Sequence, residues 1–272
     1  LIHDITRCGV FGGGTDCVVE YNRIRHVNLE TEDTGGRYGG GMWHIRGEII
    51  RYNFVTDTLG FGRSGDRWTS PHFSWGIYLD DDQSYTHVYG NIAARTTAGG
   101  CHIHAGRNNV VENNVFIESS GPQLQYSGHD PKSDLVVGRL KEFDKVRQNP
   151  AYLAKYPDIA TADTNTVWHM AENKTLRNII CYSSPKSNLY GIHHVGADPF
   201  SQNTVNANLV WHKGLPLTVS LNGKSLSWDD WRHAGFDADS VVADPLFVDP
   251  DNDDYRLKPG SPAFKLGFEP IP

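Results

Sequence analysis

The sequence lacks any run of about 18 apolar residues, so no stretch reads as a membrane-spanning helix. It lacks a CxxC pair among its four cysteines, which removes a zinc ribbon. Cys101 and Cys181 sit in apolar runs and read as buried thiols, while Cys8 and Cys17 are spaced so that a disulfide stays open. Basic residues are in deficit, 25 Lys and Arg against 32 Asp and Glu. The net charge of −7 argues against a nucleic-acid partner, whose phosphates want a basic face. No signal-peptide pattern is visible, because Leu1 opens directly into patterned sequence, "LIHDITRCGVFGGG". Aromatics, in contrast, are plentiful. Seven Trp and twelve Tyr suit a surface that stacks on sugar rings.

A repeat organises the chain. Six segments place an Asn between two apolar runs: "CVVEYNRI" (Asn22), "EIIRYNFV" (Asn53), "THVYGNIA" (Asn91), "NVVENNVF" (Asn114), "KTLRNII" (Asn178) and "NTVNANLV" (Asn208). A period near 23 residues, from Asn91 to Asn114, with short alternating apolar runs fits a coil of three strands per turn. Each coil would bury alternate side chains and pair with the next, so that several must stack for stability. The Asn is expected at a sharp turn between strands, where it tolerates left-handed backbone and its amide bonds along the stack.

On "NNVVENNVFIES" and on the closing "VVADPLFVDPDNDDYRLKPGSPAFKLGF", the chain resembles bacterial right-handed parallel β-helix proteins, many of them carbohydrate-active enzymes. The resemblance implies an all-β fold, a single solenoid domain over residues 1–272 that forms the C-terminal part of a longer chain. It also implies a secreted or periplasmic location and a polysaccharide or oligosaccharide substrate. The first coil is then expected to have an edge that is open, or covered by an upstream segment or another chain. Two segments depart from the repeat. Residues 121–166 contain "SDLVVGRLKEFDKVRQNPAYLAKYPDI", with helical spacing, and read as an inserted helical lobe. Residues 225–272 open on "SLSWDDWRHAG", a Ser-capped helix ending at Gly235, and read as a cap on the C-terminal end of the stack.

The chemistry gathers in "GIYLDDDQSYTHVYGN" and "GCHIHAGRNNVVENN". If Ile77, Leu79, Cys101 and Ile103 point inward, then Tyr78, Asp80, His102 and His104 point outward, Tyr78 over His102 and Asp80 over His104. Such a cluster of titratable groups marks a candidate site. An H-x-H pair with an Asp is compatible with zinc, but no third and fourth ligand is evident, so no metal ligand is assigned. Upstream, "NLETEDTGGRYGGG" supplies Glu32, Asp33 and Tyr38, with glycines that would let a ligand approach the backbone. The resemblance pairs Asp33 with Asp80 or Asp81. Counted along straight strands, Asp33 lies too far from Asp80 unless the strand entry bends back. The adjacent Asp80 and Asp81 followed by His102 are also similar to the polygalacturonase family, whose upstream Asn-Thr-Asp and downstream Arg-x-Lys are not found here. The loop "FGRSGDRWTSPHFSW" adds Arg67, Trp68 and Trp75 for stacking and binding, and Arg107 lies beside the cluster.

Glycoside hydrolysis needs two carboxyl groups, and Asp80, Asp33 and Asp81 are the candidates, in that order. Tyr78, His102, His104, Arg107, Trp68, Trp75, Glu32, Tyr38 and Arg67 are candidate substrate contacts. No cofactor is expected for a hydrolase. A polysaccharide lyase is the alternative, with Tyr78 or His102 as base, Arg107 or Arg67 near the uronate and Ca²⁺ on Asp80–Asp82. A non-catalytic glycan-binding β-helix is the third reading.

Overall fold

The computed structural model of the chain describes residues 1–193 and 200–272. It is dominated by parallel β-sheet, with three α-helices among the described residues, and is compatible with a β-helix. The strands fall into two sheets of eight and one of six. The chain visits them in a fixed cycle. Ile49–Arg51 joins the six-stranded sheet, Phe54–Thr58 the first eight-stranded sheet and Ser74–Asp80 the second. His87–Tyr89, Ile92–Ala94 and Gly99–His104 repeat the order, each strand parallel to its counterpart one cycle earlier. Short runs with alternating apolar residues suit this arrangement, because each run needs only one buried face. Ile77, Leu79, Cys101 and Ile103 join Ile50, Val88, Ala93, Val111 and Phe116 in one interior core.

The six repeat asparagines form one ladder. Their side-chain amides donate in turn, Asn22 to Asn53 at 3.0 Å, Asn53 to Asn91 at 2.9 Å, Asn91 to Asn114 at 3.0 Å, Asn114 to Asn178 at 3.0 Å and Asn178 to Asn208 at 3.1 Å. The left-handed turn is not on the Asn, however. It falls on the residue before it: Tyr21, Tyr52, Gly90, Asn113, Arg177 and Ala207 all have positive φ. Left-handed geometry costs an ordinary residue about 1 to 2 kcal/mol. The amide bonds that each ladder Asn makes to neighbouring backbone and to the next Asn offset it. A second ladder runs through Asn109, Asn173 and Asn203, whose side-chain oxygens accept from the backbone N–H of the preceding member at 3.0 Å.

Beneath the second sheet, Arg37 points inward and is fully buried. It pairs with Glu48 and donates to Gln83 Oε1 at 3.1 Å and to the Tyr78 carbonyl at 3.2 Å. Ile2–Ile5, Val10–Phe11 and Val18–Glu20 are the end strands of the three sheets, and no helix occurs within the first twenty residues. The four cysteines are free, so Cys8 and Cys17 are not joined.

Two boundaries differ from expectation. The inserted lobe does not begin at residue 121, because Leu124–Ser127 is a strand of the second sheet, with Leu124 and Tyr126 in the interior core. The chain leaves the stack after Ser127 and rejoins it at Lys174–Leu176. Between them lie a Ser133-capped helix, Asp134–Val146, and a shorter helix, Pro150–Lys155. Val136, Phe143 and Ile159 pack around Trp43. The C-terminal segment also divides. Lys224–Ser227 and the Ser227-capped helix Trp228–His233 close the stack, with Trp231 in the core, but Val241–Val242 adds another parallel strand to the first sheet. The remainder turns back along the outer face of that sheet. There Phe247, Tyr255, Ala263 and Phe268 pack on Ala94, Val115, Ile117, Ile179, Cys181 and Leu209. These outer side chains are apolar and need a cover, which a cap at the end of the stack would not supply.

Candidate functional site

The outer face of the second sheet collects the predicted residues. Tyr38 stands opposite Tyr78, and Tyr78 opposite His102. The Tyr78 and His102 rings stack at 4.6 Å, and those of Tyr38 and Tyr78 lie 5.3 Å apart. Asp80 Oδ2 accepts from the Tyr38 hydroxyl at 2.8 Å, and Asp80 Oδ1 lies 2.7 Å from His104 Nδ1. The Tyr78 hydroxyl donates to Asp33 Oδ1 at 3.2 Å and lies 3.4 Å from His104 Nδ1. Asp33 and Asp80 are thus joined through Tyr78 and His104. The three contacts cap the separation of the two carboxylates at about 9 Å, within the span used by glycosidases. The bend this requires is present. Asp33 has φ 52° and its N–H donates to the Phe73 carbonyl, which turns the strand entry back over Tyr78.

Gly35 and Gly39 serve packing rather than ligand approach. A Cβ on Gly35 would stand 3.2 Å from that of Tyr78, and one on Gly39 would press on the Gly12 carbonyl and the Arg37 guanidinium.

The site is more closed than alternation alone suggests. Tyr78, Asp80 and His102 are 2%, 5% and 3% exposed, and within the cluster Tyr38, His104 and Asp33 reach solvent. His102 is wedged between the rings of Trp75 and Tyr78 and shares a hydrogen bond with Ser127 Oγ at 3.1 Å, which leaves it no route to a substrate. Trp75 is likewise buried, packed on Phe73, Tyr78 and His102 with its indole N–H donated to Gln125. It supports the cluster instead of stacking on ligand.

The loop before Ser74–Asp80 holds a hairpin, Gly62–Ser64 with Arg67–Thr69. On it, Trp68 is 65% exposed and stacks on Phe61 at 5.1 Å, and Arg67 is exposed. Glu32 is tied to His72 at 2.9 Å. Arg107 is not brought to the cluster, because its guanidinium is held by Asn108, the Thr166 carbonyl and Glu172.

Asp81 and Asp82 diverge from Asp80. Both have positive φ, which swings them off the strand toward the inserted lobe. Arg139, on the helix Asp134–Val146, bridges them, at 2.8 Å to Asp81 Oδ2 and by a closer contact to Asp82 Oδ2. From the segment before that helix, His129 lays its ring 4.3 Å from that of His104. Neither Arg139 nor His129 is evident from the repeat, because the lobe that carries them interrupts it.

The electrostatics separate the two carboxylates. Burial alone would lift Asp80, but its bond to His104 and the hydroxyls of Tyr38 and Tyr78 outweigh burial and hold it down at about 2. Asp33 is raised, by partial burial and then by the negative charge of Asp80. Since Asp33 is exposed, the Asp80 charge is the firmer of the two causes. Burial and the neighbouring carboxylates push Tyr38 and Tyr78 well above the ordinary phenol range, so both stay protonated donors. Burial keeps His102 neutral and, with His104 and Arg139 adding to it, lowers His129 to about 4.

No family model, no curated protein and no solved structure matches this chain. No helix among the described residues is long and apolar enough to cross a membrane.

Proposed function

We propose that the chain is a right-handed parallel β-helix that cleaves glycosidic bonds, with Asp33 as general acid and Asp80 as nucleophile or general base. The handedness follows from the strong preference of parallel crossovers for the right-handed form. The single observation that carries the chemistry is the pair itself. Asp33 and Asp80 are linked through Tyr78 and His104, and their surroundings favour the acid form of Asp33 and the ionised form of Asp80, the division of roles that glycoside hydrolysis requires. An ionised Asp80 faces the anomeric carbon, and a protonated Asp33 gives its proton to the leaving oxygen. Exposed Trp68 offers a stacking platform for a sugar unit.

The lyase alternative has weaker support. Its candidate bases are poor ones, since Tyr78 is held protonated and His102 is buried. The carboxylates of Asp80, Asp81 and Asp82 are divided among Tyr38, His104 and Arg139, and do not make the oxygen-rich cage that calcium needs. A polysaccharide and oligosaccharide screen with product analysis decides among the readings. A hydrolase releases reducing sugar, a lyase gives an unsaturated product that absorbs in the ultraviolet, and a glycan-binding protein gives neither while retaining the ligand.

A further inference from the structure

Beside Asp80, at the seam between the second sheet and the inserted lobe, the ligand-capable atoms of Asp81, His104 and His129 lie within 4.8 Å of one another. His129 Nε2 is 3.8 Å from Asp81 Oδ1 and 4.0 Å from Asp82 Oδ1, too far for a hydrogen bond to either. His129 Nε2 and Asp82 Oδ1 are both buried without a hydrogen-bond partner, and the Asp82 side chain is wholly enclosed. Unsatisfied buried polar atoms are costly, and two that face each other across such a gap are a strong sign of a group that belongs between them.

We propose that Asp81, His104 and His129, with Asp82 Oδ1 as fourth ligand, bind a divalent first-row transition ion of the zinc type. Zinc takes imidazole nitrogen and carboxylate oxygen at about 2.0 to 2.2 Å in a tetrahedron, whose edges are then about 3.3 Å. Drawing the present 3.8 and 4.0 Å gaps to that length needs only small side-chain shifts. Two imidazoles favour such an ion over calcium or magnesium. Arg139 occupies the Oδ2 atoms of both aspartates, which leaves their Oδ1 atoms turned toward His129. Its charge offsets one carboxylate, so the donor set keeps a net −1 and still attracts a dication. On the far side, His104 has Nδ1 committed to Asp80, which leaves Nε2 for the ion. That is the carboxylate–histidine–metal relay that fixes a ligand's tautomer. The ion would thus lock the proton of His104 toward Asp80 and tie the lobe to the sheet.

The proposal does not rest on the hydrolase reading, because its test needs no substrate. The full chain, stripped with a chelator, is titrated with zinc chloride by calorimetry. One ion per chain is expected, with affinity lowered at least 10-fold in both His129→Ala and Asp81→Asn and unchanged in His26→Ala, which alters an exposed histidine elsewhere. X-ray absorption on the wild-type zinc form reads the shell directly, whatever the variants do to folding, and should show two imidazoles with oxygen ligands. Absence of binding, wild-type affinity in either site variant, or a shell with sulfur or a single imidazole would overturn it.

Discussion

The outer faces of the two eight-stranded sheets are built on the same coils and have opposite fates. On the first sheet, Ala94, Val115, Ile117, Ile179 and Leu209 face outward and are sealed by the returning C-terminal tail. On the second, Tyr38, Tyr78, Asp80, His102 and His104 face outward, and Tyr38 and His104 remain partly exposed. The inner faces of both supply one shared core. Interior alternation and the Asn ladder therefore set the scaffold, while outward positions are free to be either glue or chemistry. The contrast continues along the second sheet. The column Tyr38–Tyr78–His102 runs on to Gln125 and Gly191, so this column loses its titratable groups after His102.

The comparison breaks most visibly at Asp80. Asp80→Asn should lower turnover by about 10³-fold or more, measured as reducing-sugar release, if Asp80 is the nucleophile or general base proposed above. It should also cost stability. The ionised Asp80 contributes roughly 2 kcal/mol that is fully present above about pH 4 and lost as pH falls through about 2, since its pKa is depressed on folding. In acid unfolding monitored by circular dichroism, the wild type's stability advantage over the variant should thus shrink as pH falls from about 4 to about 2. On the other face, Phe268→Ala should lose about 3 kcal/mol in denaturant unfolding while kcat of the folded protein is unchanged. A large loss of kcat there would mean that the tail supports the site as well as the first sheet.

Smaller effects sharpen the contrast. The rate of the wild type should fall as pH rises through the elevated pKa of Asp33, because a general acid must hold its proton. In Asp33→Asn that basic limb should vanish from the kcat/KM profile. Trp68→Ala should raise KM several-fold with kcat nearly intact, as expected for a sugar platform remote from the bond being cleaved.

The scaffold was legible because stacked parallel strands put the same side chain in the same place, strand after strand. Asn22 through Asn208 could be read for that reason, and the outward register of Tyr78 and Asp80 followed from a burial rule with period two. The second ladder was equally legible and passed unread: Asn109, Asn173 and Asn203 each stand five residues before a member of the first. What alternation does not report is lateral crowding. His102 faces outward as expected, yet the rings of Trp75 and Tyr78 bury it. Nor does it report contacts made by an insertion. His129 and Arg139 reach Asp81 and Asp82 across some fifty residues of chain, and the docking of the lobe, on Trp43 and through pairs such as Arg46 with Asp158, sets that meeting.

The assignment of roles within the carboxylate pair is tested most directly by changing the leaving group. On aryl glycosides of the sugar that the screen identifies, an activated phenol departs without protonation, whereas a sugar hydroxyl does not. Asp33→Asn should then retain much of the wild-type rate on the activated glycoside and lose it on the natural linkage, while Asp80→Asn loses both. Equal losses by the two variants on both substrates, or full turnover by Asp80→Asn, would contradict the assignment.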